Sequence, residues 1–298
     1  MPCLQPEHDG ASTHAFGNTF ILPPSAHHDS TVIFLHRRGS TGREFCSELA
    51  TSVMSNLRTL QNALRCRGFR LVFPTARLVF SHCFAEWTPA WLGAFFRGLD
   101  YLDEDHHEVV TQNIVDGIDF LHSLIDDETE LVGGNARNVF LVGMGEVGSI
   151  GMWALLTQPS PARALGGFIG INASLPFAPS MMRHLRGEVG QPRQDHPGEE
   201  QRRRQDEFVR DMLGAIVRPR PRVRPEPLPH VCRTPVLLMH GTDNEILDVE
   251  RGREAYALLS ALGFRTAWLG YAGAEEDGNW IKEPEGMDDI FEFISGSR

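Results

Sequence analysis

Apolar residues along this chain fall into two rhythms, short unbroken runs and longer stretches with helical spacing. The first clear run is Thr31-Val32-Ile33-Phe34-Leu35-His36, preceded by a short amphipathic stretch over 15–22 and the turn Pro23-Pro24-Ser25. An apolar run bounded by turn residues is how a strand buried on both faces reads. The spacing of Leu49, Val53, Leu57, Leu60 and Leu64 predicts a helix over 47–67, ended by Gly68. Residues 69–73 are the next strand, stopped by Pro74. Ile114, Ile118, Leu121 and Leu124 predict a helix over 109–131 that closes at Gly133-Gly134, and 138–142 is again strand. A glycine turn and an apolar helix over 149–157 follow. Further buried runs cover 165–171, 235–240 and 265–271, with a helix over 250–262 between the last two. Strands alternating with helices imply an α/β class with a mostly parallel central sheet and helices on both faces.

Residues 183–230 break the pattern. Charges crowd Glu199-Glu200-Gln201-Arg202-Arg203-Arg204, and Arg218-Pro219-Arg220-Pro221 opens a stretch that continues through Pro225, Pro227 and Pro229. It reads as a surface insertion with a short helix near 206–217 and an extended connector; a lid and a docking segment are the other readings. The organisation is then an N-terminal extension, 1–28, and one domain, 29–298. With 298 residues, 41% of them hydrophobic, the chain is long enough to bury most of its unfolded surface, which excludes overall disorder. A formal charge of -11 repels nucleic-acid phosphates and anionic membrane, so no nucleic-acid partner is expected. Five cysteines without any Cys-x-x-Cys spacing suggest neither a disulfide framework nor a zinc site, and no metal or cofactor is expected. With no basic-then-apolar leader and no run of about 18 apolar residues, a cytoplasmic protein without a transmembrane segment is expected.

In such a sheet, ligands sit beyond the carboxyl ends of the strands. The loops there read Leu35-His36-Arg37-Arg38-Gly39-Ser40, Val142-Gly143-Met144-Gly145-Glu146-Val147-Gly148, His240-Gly241-Thr242-Asp243-Asn244 and Gly273-Ala274-Glu275-Glu276-Asp277-Gly278-Asn279-Trp280. Together with Phe73-Pro74-Thr75-Ala76, Gly167-Phe168-Ile169-Gly170 leading to Leu175-Pro176-Phe177, Thr234-Pro235-Val236 and Trp280-Ile281-Lys282-Glu283-Pro284-Glu285-Gly286, they resemble one family in its own order. The chain resembles the phospholipase/carboxylesterase branch of α/β-hydrolases, to which acyl-protein thioesterases belong, and most of all its fungal-type members. The resemblance implies an α/β-hydrolase fold and a Ser-Asp-His triad, with serine in a Gly-x-Ser-x-Gly elbow. Carried over residue by residue, the serine position is Gly145, the second elbow glycine is Val147, the acid is Asn244 and the histidine is Asn279. Arg37 stands where the family has glycine after the oxyanion-loop histidine.

Each departure has its own chemical consequence. Gly145 has no nucleophile, so no acyl-enzyme forms there. Asn244 is neutral, and in serine proteases an Asp-to-Asn change alone lowers turnover about 10⁴-fold. Asn279 cannot take up a proton near neutral pH. Candidate substitutes are Glu146 and Asp243, with Glu276 and Asp277 beside them, as carboxylates for non-hydrolytic acid/base chemistry, and Ser149 as a shifted nucleophile. Ser149 falls one helical turn too far and is expected to bond within its helix. Arg37, Arg38 and Arg43 suit a carboxylate or phosphate ligand, and Glu146 with Arg38 can offer backbone N–H groups to an oxyanion. Pairing with Glu146 or Asp243 is the alternative use of the arginine charge. Trp87 and Trp91 fall where the family has a Trp-Phe-Asp segment near the substrate groove; core or rim packing is their default reading and contact with an acyl or aromatic ligand the second. His36 and His240 read as structural strand-end residues, and His27-His28 and His106-His107 as polar loop pairs. The reading that follows is a degenerate hydrolase-like pseudoenzyme that binds an acyl- or carboxylate-bearing small molecule or a protein partner. An enzyme of a biosynthetic pathway using Glu146 or Asp243, and a residual ester or thioester hydrolase, are the alternatives.

Overall fold

A computed structural model describes residues 15–81, 86–92, 104–158, 163–186, 199–213 and 233–296. The strands are β1 (Gly17–Leu22), β2 (Ser30–Leu35), β3 (Phe69–Thr75), β4 (Leu78–Ser81), β5 (Glu86–Pro89), β6 (Val139–Met144), β7 (Gly167–Ile171), β8 (Val236–Gly241) and β9 (Thr266–Tyr271). The helices are α1 (Gly42–Leu49), α2 (Leu60–Cys66), α3 (Glu104–Leu131), α4 (Glu146–Leu156), α5 (Ala178–Arg186), α6 (Glu199–Leu213), α7 (Val249–Ala261) and α8 (Glu285–Gly296). Seven strands form one sheet in the order β1-β3-β2-β6-β7-β8-β9, and β4 and β5 form a separate hairpin. From β3 onward the ladder is parallel, while β1 joins β3 antiparallel at the edge, so part of the expected N-terminal extension belongs to the sheet.

The side-chain alternation of a strand explains the unbroken apolar runs. In β2, Val32 and Phe34 enter one core with α1, α2 and α8, while Ile33 and Leu35 enter the other with α3, α4, α5, α6 and α7. Phe34 stacks on Phe73 of β3 at 5.1 Å, and each such fully buried side chain is worth about 1.5–3 kcal/mol relative to exposure. These two cores fix the sheet, and the loops at its carboxyl edge inherit that rigidity.

Two local expectations are corrected. The helix expected over 47–67 is two helices, because Ser52, Ser55 and Asn56 favour turns and Leu57 takes φ 63, with Val53 bridging Thr59 between them. Thr59 then caps α2 by accepting from the Asn62 amide. In the charged segment, α6 runs over Glu199–Leu213, earlier than the 206–217 expected, and it packs on the core rather than standing off as a loop. Val209 is fully buried, Phe208 meets Trp153 and Phe177, and Arg183 pairs with Asp206. The proline-rich stretch beyond Leu213 lies outside the described residues. Among the described residues, no helix is long and apolar enough to cross a membrane, and no group of three or more side chains is arranged to hold a metal. Cys46 and Cys66 are free thiols; Cys3, Cys83 and Cys232 lie outside the described residues.

Candidate active site

The turn from β6 into α4 has the shape of a nucleophile elbow. Gly145 takes φ 71 and ψ -138, a conformation open to glycine and strained for other residues, and its N–H donates to the Ile171 carbonyl at 2.8 Å. Strand and helix approach closely: a Cβ on Gly148 would lie 2.4 Å from the Ala173 Cβ, and one on Gly143 would lie 2.9 Å from the Gly148 Cα. Gly145 differs, since the nearest atom to a Cβ built there is the Arg37 Cβ at 3.9 Å. The elbow therefore has room for a side chain and carries none. Val147, at the second elbow glycine, is fully buried. Ser149 is fully buried too, and its hydroxyl donates to the Ser174 carbonyl at 2.7 Å instead of bonding within its own helix. That places the shifted-elbow candidate in the core. Glu146 is the first residue of α4, and its side chain lies outside the described part of the structure.

Asn244 and Asn279 meet each other. Asn244 Nδ2 donates to Asn279 Oδ1 at 3.4 Å, so two amides stand where the resemblance puts an aspartate–histidine pair. The Asn244 Oδ1 is already engaged, accepting from the amides of Ile246 and Leu247 at 2.8 and 2.9 Å. A residue the sequence reading missed holds this arrangement together. Asn172, at φ 48 and fully buried just after β7, accepts from the Gly241 amide at 2.8 Å. Its Nδ2 donates to the Asn279 carbonyl at 3.0 Å and the Gly278 carbonyl at 3.4 Å. One side chain thus ties the ends of β7 and β8 to the Asn279 turn. The available signal was a polar residue ending an apolar run at the carboxyl edge of the sheet.

Among the described residues Arg37 does not pair with Asp243, and the Glu146 side chain lies outside them. The Arg37 guanidinium makes a two-point pair with Glu276, Nη2 to Oε1 at 3.0 Å and Nη1 to Oε2, and Glu48 lies 3.6 Å away. It also lies over the Trp280 ring, 5.3 Å from the centroid. Burial pushes the Glu48 carboxyl above its ordinary range, with Arg37 opposing and Glu276 and Glu44 adding to the rise. Arg38 reaches the Leu92 carbonyl. Asp243 is exposed and accepts from the Gly273 amide at 2.7 Å, tying its loop to the one after β9. Trp91 takes the packing role and is not available as a ligand contact: it is 1% exposed, packs against Phe16, Phe120 and His36, and donates to the His36 carbonyl. Trp87, by contrast, is 45% exposed on the β4–β5 hairpin, edge-on to Phe80.

Both strand-end histidines are built into the scaffold. His36 is fully buried, its Nδ1 bonded to the Arg37 carbonyl at 2.7 Å and its Nε2 accepting from the Ala76 amide at 2.9 Å. Burial holds its pKa down at about 4, so the ring is neutral. His240 bonds the Leu247 carbonyl at 3.0 Å and stacks on Trp268, and burial lowers its pKa as well. His28 bonds Thr31, His27 pairs with Asp29, and the His106 and His107 side chains lie outside the description.

A parallel sheet with an antiparallel edge strand, helices on both faces and an elbow after β6 is the α/β-hydrolase fold. The relatives agree with that class. The chain is similar to acyl-protein thioesterase 1 of Gibberella zeae, 24% identical over 279 residues, 92% of this chain and 93% of that protein. Among solved structures it is similar to SOBER1 of Arabidopsis thaliana, with TM-score 0.58, 19% identity and coverage of 90% of this chain and 98% of that one. It is similar also to acyl-protein thioesterase 2 of Zea mays, with TM-score 0.57, 16% identity and coverage of 94% and 99%. No family model matches the chain. The chain has the α/β-hydrolase fold and is similar in sequence to an acyl-protein thioesterase.

Proposed function

We propose that this protein is a non-hydrolytic α/β-hydrolase, a cytoplasmic pseudoenzyme that holds an acyl- or carboxylate-bearing small molecule or a protein partner at the carboxyl edge of its sheet. The observation that carries this reading is the amide pair of Asn244 and Asn279 together with a side-chain-free Gly145 at the elbow. Serine hydrolysis needs a hydroxyl, a base to take its proton and an anion to stabilise the resulting imidazolium. Gly145 has no hydroxyl to offer. Asn279 has no basic nitrogen, and Asn244 is neutral with its oxygen spent on two backbone amides. The burial of Ser149 argues against a relocated nucleophile. The intact elbow, its α4 terminus left without a side-chain cap, supports a binding use for what was shaped as a reaction site.

The test is intact-mass analysis after incubation with a fluorophosphonate. The expected result is an unlabelled wild type and a stoichiometric adduct on the triple variant Gly145→Ser/Asn244→Asp/Asn279→His. An adduct on the wild type overturns the reading, because it reveals an activated nucleophile.

A further inference from the structure

The central sheet ends in two strands of opposite character. At one edge, β1 meets β3 with a register shift between Gly17 and Phe20, an irregularity of the kind that blunts an open edge. At the other, β9 keeps an unbroken register with β8 from Thr266 to Tyr271 and has no neighbouring strand beyond it among the described residues. Its sequence, Thr266-Ala267-Trp268-Leu269-Gly270-Tyr271, contains neither a charge nor a proline, the common defences of an edge. The Val236 amide donates to the Arg265 carbonyl and the Thr242 amide to the Tyr271 carbonyl, so the odd-numbered residues of β9 bond to β8. Thr266, Trp268 and Gly270 therefore turn their backbone N–H and C=O groups outward. This outward set is symmetric about Trp268. In an antiparallel pairing about a two-fold axis at that residue, Trp268 exchanges both bonds with its mate, and Thr266 exchanges both with Gly270 of the second copy. No outward group is left over. The ends match in charge as well. Arg265, exposed and in no ion pair among the described residues, precedes β9, while Glu275 and Asp243, which binds the Gly273 amide, lie beyond its other end. Antiparallel pairing brings the basic end of each copy to the acidic end of the other.

We propose that β9 is a self-association edge: two copies pair β9 against β9 in this register and join their sheets into one. A strand pair buries little area, so the dimer forms and dissociates with concentration in the micromolar range. Light scattering of the intact chain over a concentration series should show a mass rising from one chain to two, and a chain that stays monomeric overturns the proposal. Thr266→Pro/Gly270→Pro removes two outward donors at positions where proline breaks no backbone bond to β8, and should weaken the dimer about a hundredfold. Arg265→Glu, which leaves β9 itself untouched, should weaken it about tenfold. Variants that both associate like the wild type overturn the pairing. Residue-resolved hydrogen exchange on the wild type needs no substitution. The amides of Thr266, Trp268 and Gly270 should exchange more slowly as concentration rises, while those of Ala267 and Leu269, already bonded to β8, stay unchanged. A dimer without that alternating protection overturns β9 as its interface.

Discussion

Replacing Asn172 by alanine would strip the Gly241 amide of its acceptor and the Asn279 carbonyl of its donor, all at a buried junction. Unmade buried hydrogen bonds cost about 1–3 kcal/mol each. The expected loss for Asn172→Ala is about 2–3 kcal/mol, read from urea unfolding, with the turn over 273–280 the first part to loosen. At this scale the sequence was informative about what is missing and poor on what is paired. Gly145, Asn244 and Asn279 announce themselves because a familiar pattern surrounds each one. The Arg37–Glu276 bridge joins residues 239 positions apart, and no local spacing encodes it. Trp87 and Trp91 drew one reading from the sequence although one is exposed and the other buried, because a tryptophan beside a groove and one beneath it carry the same letter.

At the scale of elements, the elbow separates two kinds of glycine. Gly148 is a packing glycine: Gly148→Ala places a methyl group against Ala173, and overpacking of a rigid strand–helix contact costs about 1–3 kcal/mol or more. Gly145 is a conformational glycine: Gly145→Ser has room but is strained at φ 71, a cost of about 1–3 kcal/mol. Thermal melts are expected to show both variants destabilised. Restoring space by Ala173→Gly should rescue Gly148→Ala and leave Gly145→Ser unimproved. The central strands were legible from their apolar runs, whereas 265–271, also read as buried, contains β9, a partly exposed strand at the edge of the sheet. The helix over 47–67 was not legible, since apolar spacing survived across a turn whose Ser and Asn residues broke the backbone hydrogen bonding. Nor was the position of α6, where dense charge on one face concealed Phe208 and Val209 on the other.

For the whole molecule, burial of neutral histidines sets an acid limit on stability. His36 is held at about 4 against 6.5 when free, so the unfolded chain binds its proton first as pH falls. Its contribution is fully present above pH 6.5 and declines as pH falls toward about 4, a total on the order of 3 kcal/mol. His240, His28 and His184, also lowered by burial, act with the same sign. Glu48 and Asp289, raised by burial, act with the opposite sign at lower pH. Urea titrations from pH 7.5 down to about 4.5 should show this decline in the wild type, and a shallower one in His36→Gln, which keeps a donor and an acceptor but cannot be protonated. The fold as a whole was legible because two-sided burial writes itself into many residues at once. The site was legible only by comparison with a pattern, since a few loop residues carry it.

On the proposed non-hydrolytic reading, with a Ser-Asp-His hydrolase as its ancestor, Gly145 also gives the site a direction in evolutionary time. A lone return to serine would bring strain into the elbow, while Asn244 and Asn279 leave the new hydroxyl unactivated. A lone return to aspartate or histidine at the other two positions would serve no nucleophile. Each first step back lacks a catalytic reward, and the step at Gly145 weakens the fold as well. Drift can therefore leave a hydrolase by single changes, whereas return requires a joint one, and the glycine acts as a ratchet.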